Sequence, residues 1–215
     1  MVRLDILSDP ICPWCYIGKA NLDRALVGRA DVPFVIEWHP FQLNPEMPRT
    51  GVDRDSYLAA RMGGAEGMAR ADAMLAERAE AAGVTINRFV GQRIPNTLDA
   101  HRLIHWAGIE GRQSAAVDAL FAANFVEGRD IGDRAELAGI AGRIGLDAAA
   151  VARLLDSDAD IDLIRERESH SRARGVSAVP TFIIADHYVV QGAQPPELWL
   201  QVIDEIAAEA AGDGA

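Results

Sequence analysis

Four residues, Cys12-Pro13-Trp14-Cys15, constrain this chain more than any other stretch. They follow the apolar run Val2-Arg3-Leu4-Asp5-Ile6-Leu7 and open a segment with helical spacing, Tyr16 through Leu26. The order reads as a strand that delivers a Cys-x-x-Cys pair onto a helix start. A helix N-terminus has unpaired N–H groups and partial positive charge, which favours a thiolate, the attacking form of cysteine. Residues three apart on a helix share a face, so Cys15 can reach back and close a disulfide with Cys12. Pro13 suits the first helical position, where its missing N–H costs nothing. On this reading Cys12 is the exposed nucleophile and Cys15 the more buried resolving thiol.

Two other readings stand beside it. Structural zinc needs four ligands and there is no second cysteine pair, so His101 and His105 would have to complete a Cys2His2 set. The cysteines could also be an inert buried pair. Proline and tryptophan between them suit a redox turn better than a zinc knuckle, and no metal is expected.

With 215 residues, 49% of them hydrophobic, the chain can build a substantial core, as one domain or one domain with a large insertion. A net charge of −11 argues against nucleic acid or an anionic membrane surface as the main partner. No apolar run is long enough to span a bilayer. Val2–Leu7 reads as the first strand rather than as a secretory leader, so the expected location is the cytoplasm. In that compartment a disulfide is transient and catalytic.

Along the chain, a turn is expected from Gly28 to Pro33, then a strand at Phe34-Val35-Ile36-Glu37-Trp38-His39. Prolines 40, 45 and 48 punctuate an extended segment. Helical spacing then dominates, with helices predicted near 53–63, 65–82, 97–109, 113–127, 134–144, 147–155 and 159–173. Asn96 with Asp99, and Asp133 with Glu136, are expected to cap two of them. Gly83, Gly128, Gly145 and Gly175 stand at expected helix ends. Val84–Asn96 reads as an irregular loop. Thr181-Phe182-Ile183-Ile184 and Tyr188-Val189-Val190 form a predicted hairpin, followed by a helix from Pro195-Pro196 and a frayed tail, Gly212–Ala215. The fold expected is α/β: a discontinuous thioredoxin-like domain from 1–50 and 174–215, with a large all-helical insertion at 51–173.

Several motifs extend the argument. Asp9-Pro10-Ile11-Cys12-Pro13-Trp14-Cys15-Tyr16-Ile17-Gly18-Lys19 resembles the active-site helix start of FrnE-like proteins in the DsbA family. Matches continue, in order, through Trp38–Pro45, Asn96-Thr97, Ala100-His101-Arg102, Gly175–Phe182 and Gln191-Gly192-Ala193-Gln194. The resemblance covers nearly the whole chain. It implies thiol–disulfide oxidoreductase chemistry, with a cis-proline at Pro180 set against the cysteines and the Val179 backbone pairing with an extended substrate. Composition alone would read Pro180 as an ordinary trans proline starting a strand. Relatives with histidine at the Trp14 position are strong oxidants; an uncharged indole implies a milder one.

Kappa-class glutathione transferases and 2-hydroxychromene-2-carboxylate isomerases are related, and typically carry serine where this chain has Cys12. The alternative function is therefore a glutathione-dependent isomerase or transferase acting on a small aromatic compound. The loop Gly192-Ala193-Gln194 matches their γ-glutamyl position but lacks their Ser-Asp pair. No cofactor is expected beyond the Cys12–Cys15 disulfide, with glutathione a candidate redox partner. A thiol or disulfide substrate (protein, peptide or small molecule) is expected, and both monomer and homodimer remain open.

Trp14 is either a substrate-contact surface or packing over the disulfide. Glu37, if beneath the Cys helix, would be a desolvated proton relay to Cys15; otherwise it is a solvated strand glutamate. His39 and His101 either line the cleft or are structural. Lys19 is expected to face solvent, and Phe121, Phe125 and Val126 to be core.

Overall fold

The computed structural model describes residues 2–27, 29 and 34–212, with side chains as far as residue 208. The turn expected at Gly28–Pro33, apart from Arg29, and the tail beyond Gly212 lie outside the described residues.

Strand β1 (Val2–Ser8) leads into helix α1 (Pro13–Leu26), and β2 (Phe34–Pro40) returns parallel to β1 with Val2 opposite Phe34 and Ser8 opposite Pro40. Far along the chain, β5 (Thr181–Ile184) and β6 (Tyr188–Gln191) form the predicted hairpin. β5 runs antiparallel to β1, giving a four-stranded sheet of order β2-β1-β5-β6. Side chains alternate across a strand, so the two faces separate cleanly. Leu4, Ile6, Trp38, Phe182 and Ile184 share one buried cluster with Cys15 and Leu22 of α1 and Trp199 of α9 (Pro196–Gly212). Trp199 meets Phe182 edge-on at 4.7 Å. Leu7 belongs to a separate cluster with Phe41 and Val176.

Between β2 and β5 the predicted helices are present: α2 (Arg54–Met62), α3 (Ala65–Ala82), α4 (Leu98–Ile109), α5 (Gln113–Phe121), α6 (Arg134–Arg143), α7 (Ala148–Leu155) and α8 (Ile161–Ala173). The helix expected to run to 127 changes its winding at the end, where Ala122–Val126 form a π-turn. The carbonyls of its last three residues are not left bare. Asn124 accepts from Gln92 Nε2, Phe125 from the Asn87 N–H and Val126 from Asn87 Nδ2, which straps the irregular loop onto the helix. A two-residue pair, β3 (Val52–Asp53) with β4 (Arg93–Ile94), is too short to show in a hydrophobic pattern.

The Asp133 cap forms, its carboxylate accepting the Glu136 N–H at 2.8 Å. The other expected cap takes a different form. Asn96 accepts the Leu98 N–H at 2.9 Å, two residues on, but Asp99 turns away from the backbone to Arg102 and Arg134. Arg102 explains the diversion. It is fully buried on α4 and donates to the carbonyls of Leu154, Ser157 and Ala159, tying α4 to the turn between α7 and α8. A buried guanidinium with that many acceptors needs one carboxylate close by. Asp99 supplies it.

Candidate active site

Cys12 caps α1 in an extended conformation, and Pro13 takes the first helical position. The Cys12 N–H donates to the Asp9 carbonyl at 2.9 Å, and the Cys12 carbonyl accepts from Cys15 and Tyr16 at 3.0 and 3.3 Å. Both cysteines are free thiols. The expected contrast in exposure is not present, because Cys12 is 3% and Cys15 1% exposed. The reason is the loop above: the Cys12 thiol lies 3.7 Å from the Val179 carbonyl, to which it donates, and the Val179–Pro180 peptide bond is cis. Surroundings rather than exposure distinguish the two sulfurs. Burial, and then the adjacent Cys12 thiol, push the Cys15 thiol well above the ordinary range, while Ser8 and the Asp9 backbone pull weakly the other way.

Close approach of α1 to this loop depends on Gly18. A Cβ there would stand 3.0 Å from Pro180 Cγ and 3.4 Å from Phe182 and from the Ala193 backbone. The Gly192 N–H donates to the Pro180 carbonyl at 2.8 Å, and Asn21 Nδ2 to the Gln194 carbonyl at 2.9 Å, so the 192–194 loop is fixed to both. Gly192 itself has φ +80°, the left-handed region that favours glycine. Together Trp14, Val179, Pro180 and the 192–194 loop line a groove of about 610 Å³ beside the cysteines. Trp14 is half-buried there and packs against the core.

Glu37 is not beneath the Cys helix. Trp38 faces α1, so strand alternation sends Glu37 and His39 to the opposite face of the sheet. There Glu37 accepts from Arg167 at 2.6 Å, while His39 stands 2.9 Å from Asp5 and 3.1 Å from Arg167. His39 therefore does not line the groove either. Among the described residues, Asp5, Glu37 and His39 are the one group with ligand atoms close enough for a metal. Arg3 and Arg167 already neutralise its carboxylates. The cysteines and the two α4 histidines do not converge into such a group. Lys19, expected in solvent, is buried with its ammonium 2.6 Å from both Asp23 and Asp118. Tyr16 stacks on Phe121 and Phe125 at 5.2 and 5.6 Å, so these two are core, as expected, and hold α1 to the helical segment, while Val126 is only half-buried.

Two buried polar residues, Asp9 and His101, meet behind the turn. The Asp9 carboxyl is fully buried and accepts the Leu43 and Ile11 N–H groups at 2.7 and 3.3 Å. Burial pushes it up to about 7. His101 Nε2, buried and without a hydrogen-bond partner, stands 3.9 Å from the same carboxyl, and burial lowers its pKa to about 3. An Asp-Pro dipeptide ordinarily marks an exposed turn.

The chain is similar in sequence and fold to several known proteins. The uncharacterized protein YwbO of Bacillus subtilis is 30% identical over 95% of this chain and 96% of its own. The crystal structure of a probable DsbA oxidoreductase from Streptomyces coelicolor is 32% identical, covers 95% of this chain and 89% of its own, and superimposes with a TM-score of 0.86. A 2-hydroxychromene-2-carboxylate isomerase shares the fold at 16% identity, with 98% of each chain covered and a TM-score of 0.74. The model of the DSBA-like thioredoxin domain matches residues 3–204. With a thioredoxin sheet, a Cys-x-x-Cys helix start and that match across nearly its whole length, the chain belongs to the DSBA-like thioredoxin domain family of thiol oxidoreductases.

Proposed function

We propose that the protein is a thiol–disulfide oxidoreductase that works through a mixed disulfide on Cys12. The observation that carries this reading is the placement of the Cys12 sulfur between the start of α1 and the Val179 carbonyl, with Cys15 buried one turn further in. In the oxidising direction a substrate thiolate attacks Cys12 of the enzyme disulfide. Cys15 leaves with the electron pair and takes up a proton. A second substrate thiolate then attacks the substrate sulfur of the mixed disulfide and Cys12 leaves, so the substrate is oxidised and the enzyme becomes a dithiol. The reverse sequence reduces a substrate disulfide. The high Cys15 pKa keeps that thiol protonated until the mixed disulfide forms. Val179 and Pro180 border the attack path, and Trp14 offers an apolar contact for the substrate. Glutathione is a suitable redox partner. The cytoplasm is the proposed site of action, and no helix among the described residues is long and apolar enough to cross a membrane.

Trapping tests the reading. Cys15→Ser incubated with glutathione disulfide or a disulfide peptide should accumulate one adduct on Cys12, visible by intact mass, and Cys12→Ser should accumulate none. If Cys15→Ser forms no adduct but retains glutathione-dependent isomerase activity on a small aromatic compound, the alternative function holds instead.

A further inference from the structure

The groove beside the cysteines extends well past them. Trp14, Ile17, Asn21 and Arg24 recur at spacings of three, four and three, so one stripe of α1 lines its length. Helix α3 contributes Met74 and Arg78 to the facing wall, and Glu197 stands at the start of α9. Arg24 is anchored by donating Nη1 to the Ala81 carbonyl at 2.7 Å. Arg24 and Arg78 are both exposed, and they place two positive charges in this groove on a chain of net charge −11. Ten residues of helix separate Trp14 from Arg24, about 15 Å at 1.5 Å per residue. An extended peptide covers that distance with about four to five residues at 3.3 Å each.

We infer that the groove takes an extended peptide segment of the substrate and that Arg24 and Arg78 select one with a carboxylate about four to five residues from the reacting cysteine. The inference rests on the oxidoreductase reading and names the substrate class of the same site. A tripeptide thiol joined to Cys12 through its central residue extends only one residue, about 3.3 Å of backbone, to either side. It does not reach the arginine pair. The half-buried Trp14 contributes apolar area, and the arginines contribute selection. Charge at a solvent-exposed rim acts chiefly on encounter and discrimination, and salt screens it.

The test uses full-length protein and synthetic disulfide peptides with one aspartate placed five residues before, or five residues after, the cysteine. Matched peptides carry lysine at that position. The ratio of kcat/KM for aspartate over lysine peptides is internal to each enzyme, so it is independent of the folded fraction. At low salt the wild type should prefer aspartate in one of the two placements by about three- to tenfold, the range expected of one or two exposed charge pairs. Arg24→Gln/Arg78→Gln should bring the ratio to near one, and Arg78→Glu should turn it toward lysine. Equal rates for both peptides in the wild type, or a preference that survives in the double variant, overturn the proposal. A wild type that exchanges with no thiol at all overturns the oxidoreductase reading and the proposal with it.

Discussion

Asp9 and His101 give the sharpest prediction about stability. An Asp whose folded pKa is about 7 against an ordinary 3.8 keeps its proton in the folded chain after the unfolded chain has lost it. Its contribution to stability is therefore present below pH 3.8 and is lost as pH rises toward 7. His101 has the opposite sign. Its folded pKa is about 3 against an ordinary 6.5, so below pH 6.5 only the unfolded chain gains the proton. Stability is lost as pH falls. Each slope is about 1.4 kcal/mol per pH unit. Between about pH 4 and 6.5 the two slopes cancel, and the pair contributes almost nothing to the pH dependence. Asp9→Asn cannot titrate and keeps one oxygen for the shorter bond from the Leu43 N–H, leaving the Ile11 N–H on the other side without its acceptor; that loss is independent of pH, so the variant still exposes the histidine slope. Relative to wild type, the variant should gain about 3 kcal/mol across that window, and His101→Gln should lose a similar amount. Urea denaturation at half-unit pH steps, followed by tryptophan fluorescence, measures the difference directly. A difference between Asp9→Asn and wild type that stays constant from pH 4 to 6.5 would refute the reasoning.

Other predictions follow from individual contacts. Glu37→Gln should change the rate of thiol–disulfide exchange by less than about twofold, since the loss of an acid–base group that does act costs about a hundredfold or more; a hundredfold loss would return Glu37 to the proton path. Arg102→Ala leaves the carbonyls of Leu154, Ser157 and Ala159 without their donor and Asp99 with only Arg134, and should cost about 3–5 kcal/mol in urea denaturation. Gly18→Val pushes branched atoms onto Pro180 and Phe182, and should lower stability by about 1–3 kcal/mol and reduce exchange rates. An unchanged Tm together with unchanged turnover would show that α1 and the Pro180 loop do not need this approach.

The fold was largely legible because its signals are periodic. Short apolar runs marked β1 and the hairpin, and alternation marked β2; helical spacing with glycine stops marked α2 through α8. What escaped was decided by neighbours rather than by pattern. The pair β3 and β4 spans two residues per strand, and the π-turn at Ala122–Val126 keeps an α-like composition while its freed carbonyls are met by Asn87 and Gln92. Glu37 could have been placed correctly. If Trp38 is core, alternation alone sends Glu37 to the other face, where α8 supplies Arg167. Lys19 looked like a surface lysine because Asp118, one of the two carboxylates that hold it, comes from α5, a hundred residues away. The burial of Asp9 was not legible for a similar reason: the Leu43 segment that covers it lies 34 residues further along the chain. The cysteine pair itself was legible in position and order. The burial of Cys12 was not, because the Val179–Pro180 segment that covers it arrives from the far end of the chain.

The central claim is that Cys12 and Cys15 form one reversible redox couple. Titrating the purified protein against glutathione buffers of graded ratio, with intact mass and Trp14 fluorescence read at each point, tests it most directly. A single two-electron transition is expected, with a loss of about two mass units, the two thiol protons of one disulfide. A chain that forms no intramolecular disulfide at any ratio would contradict it.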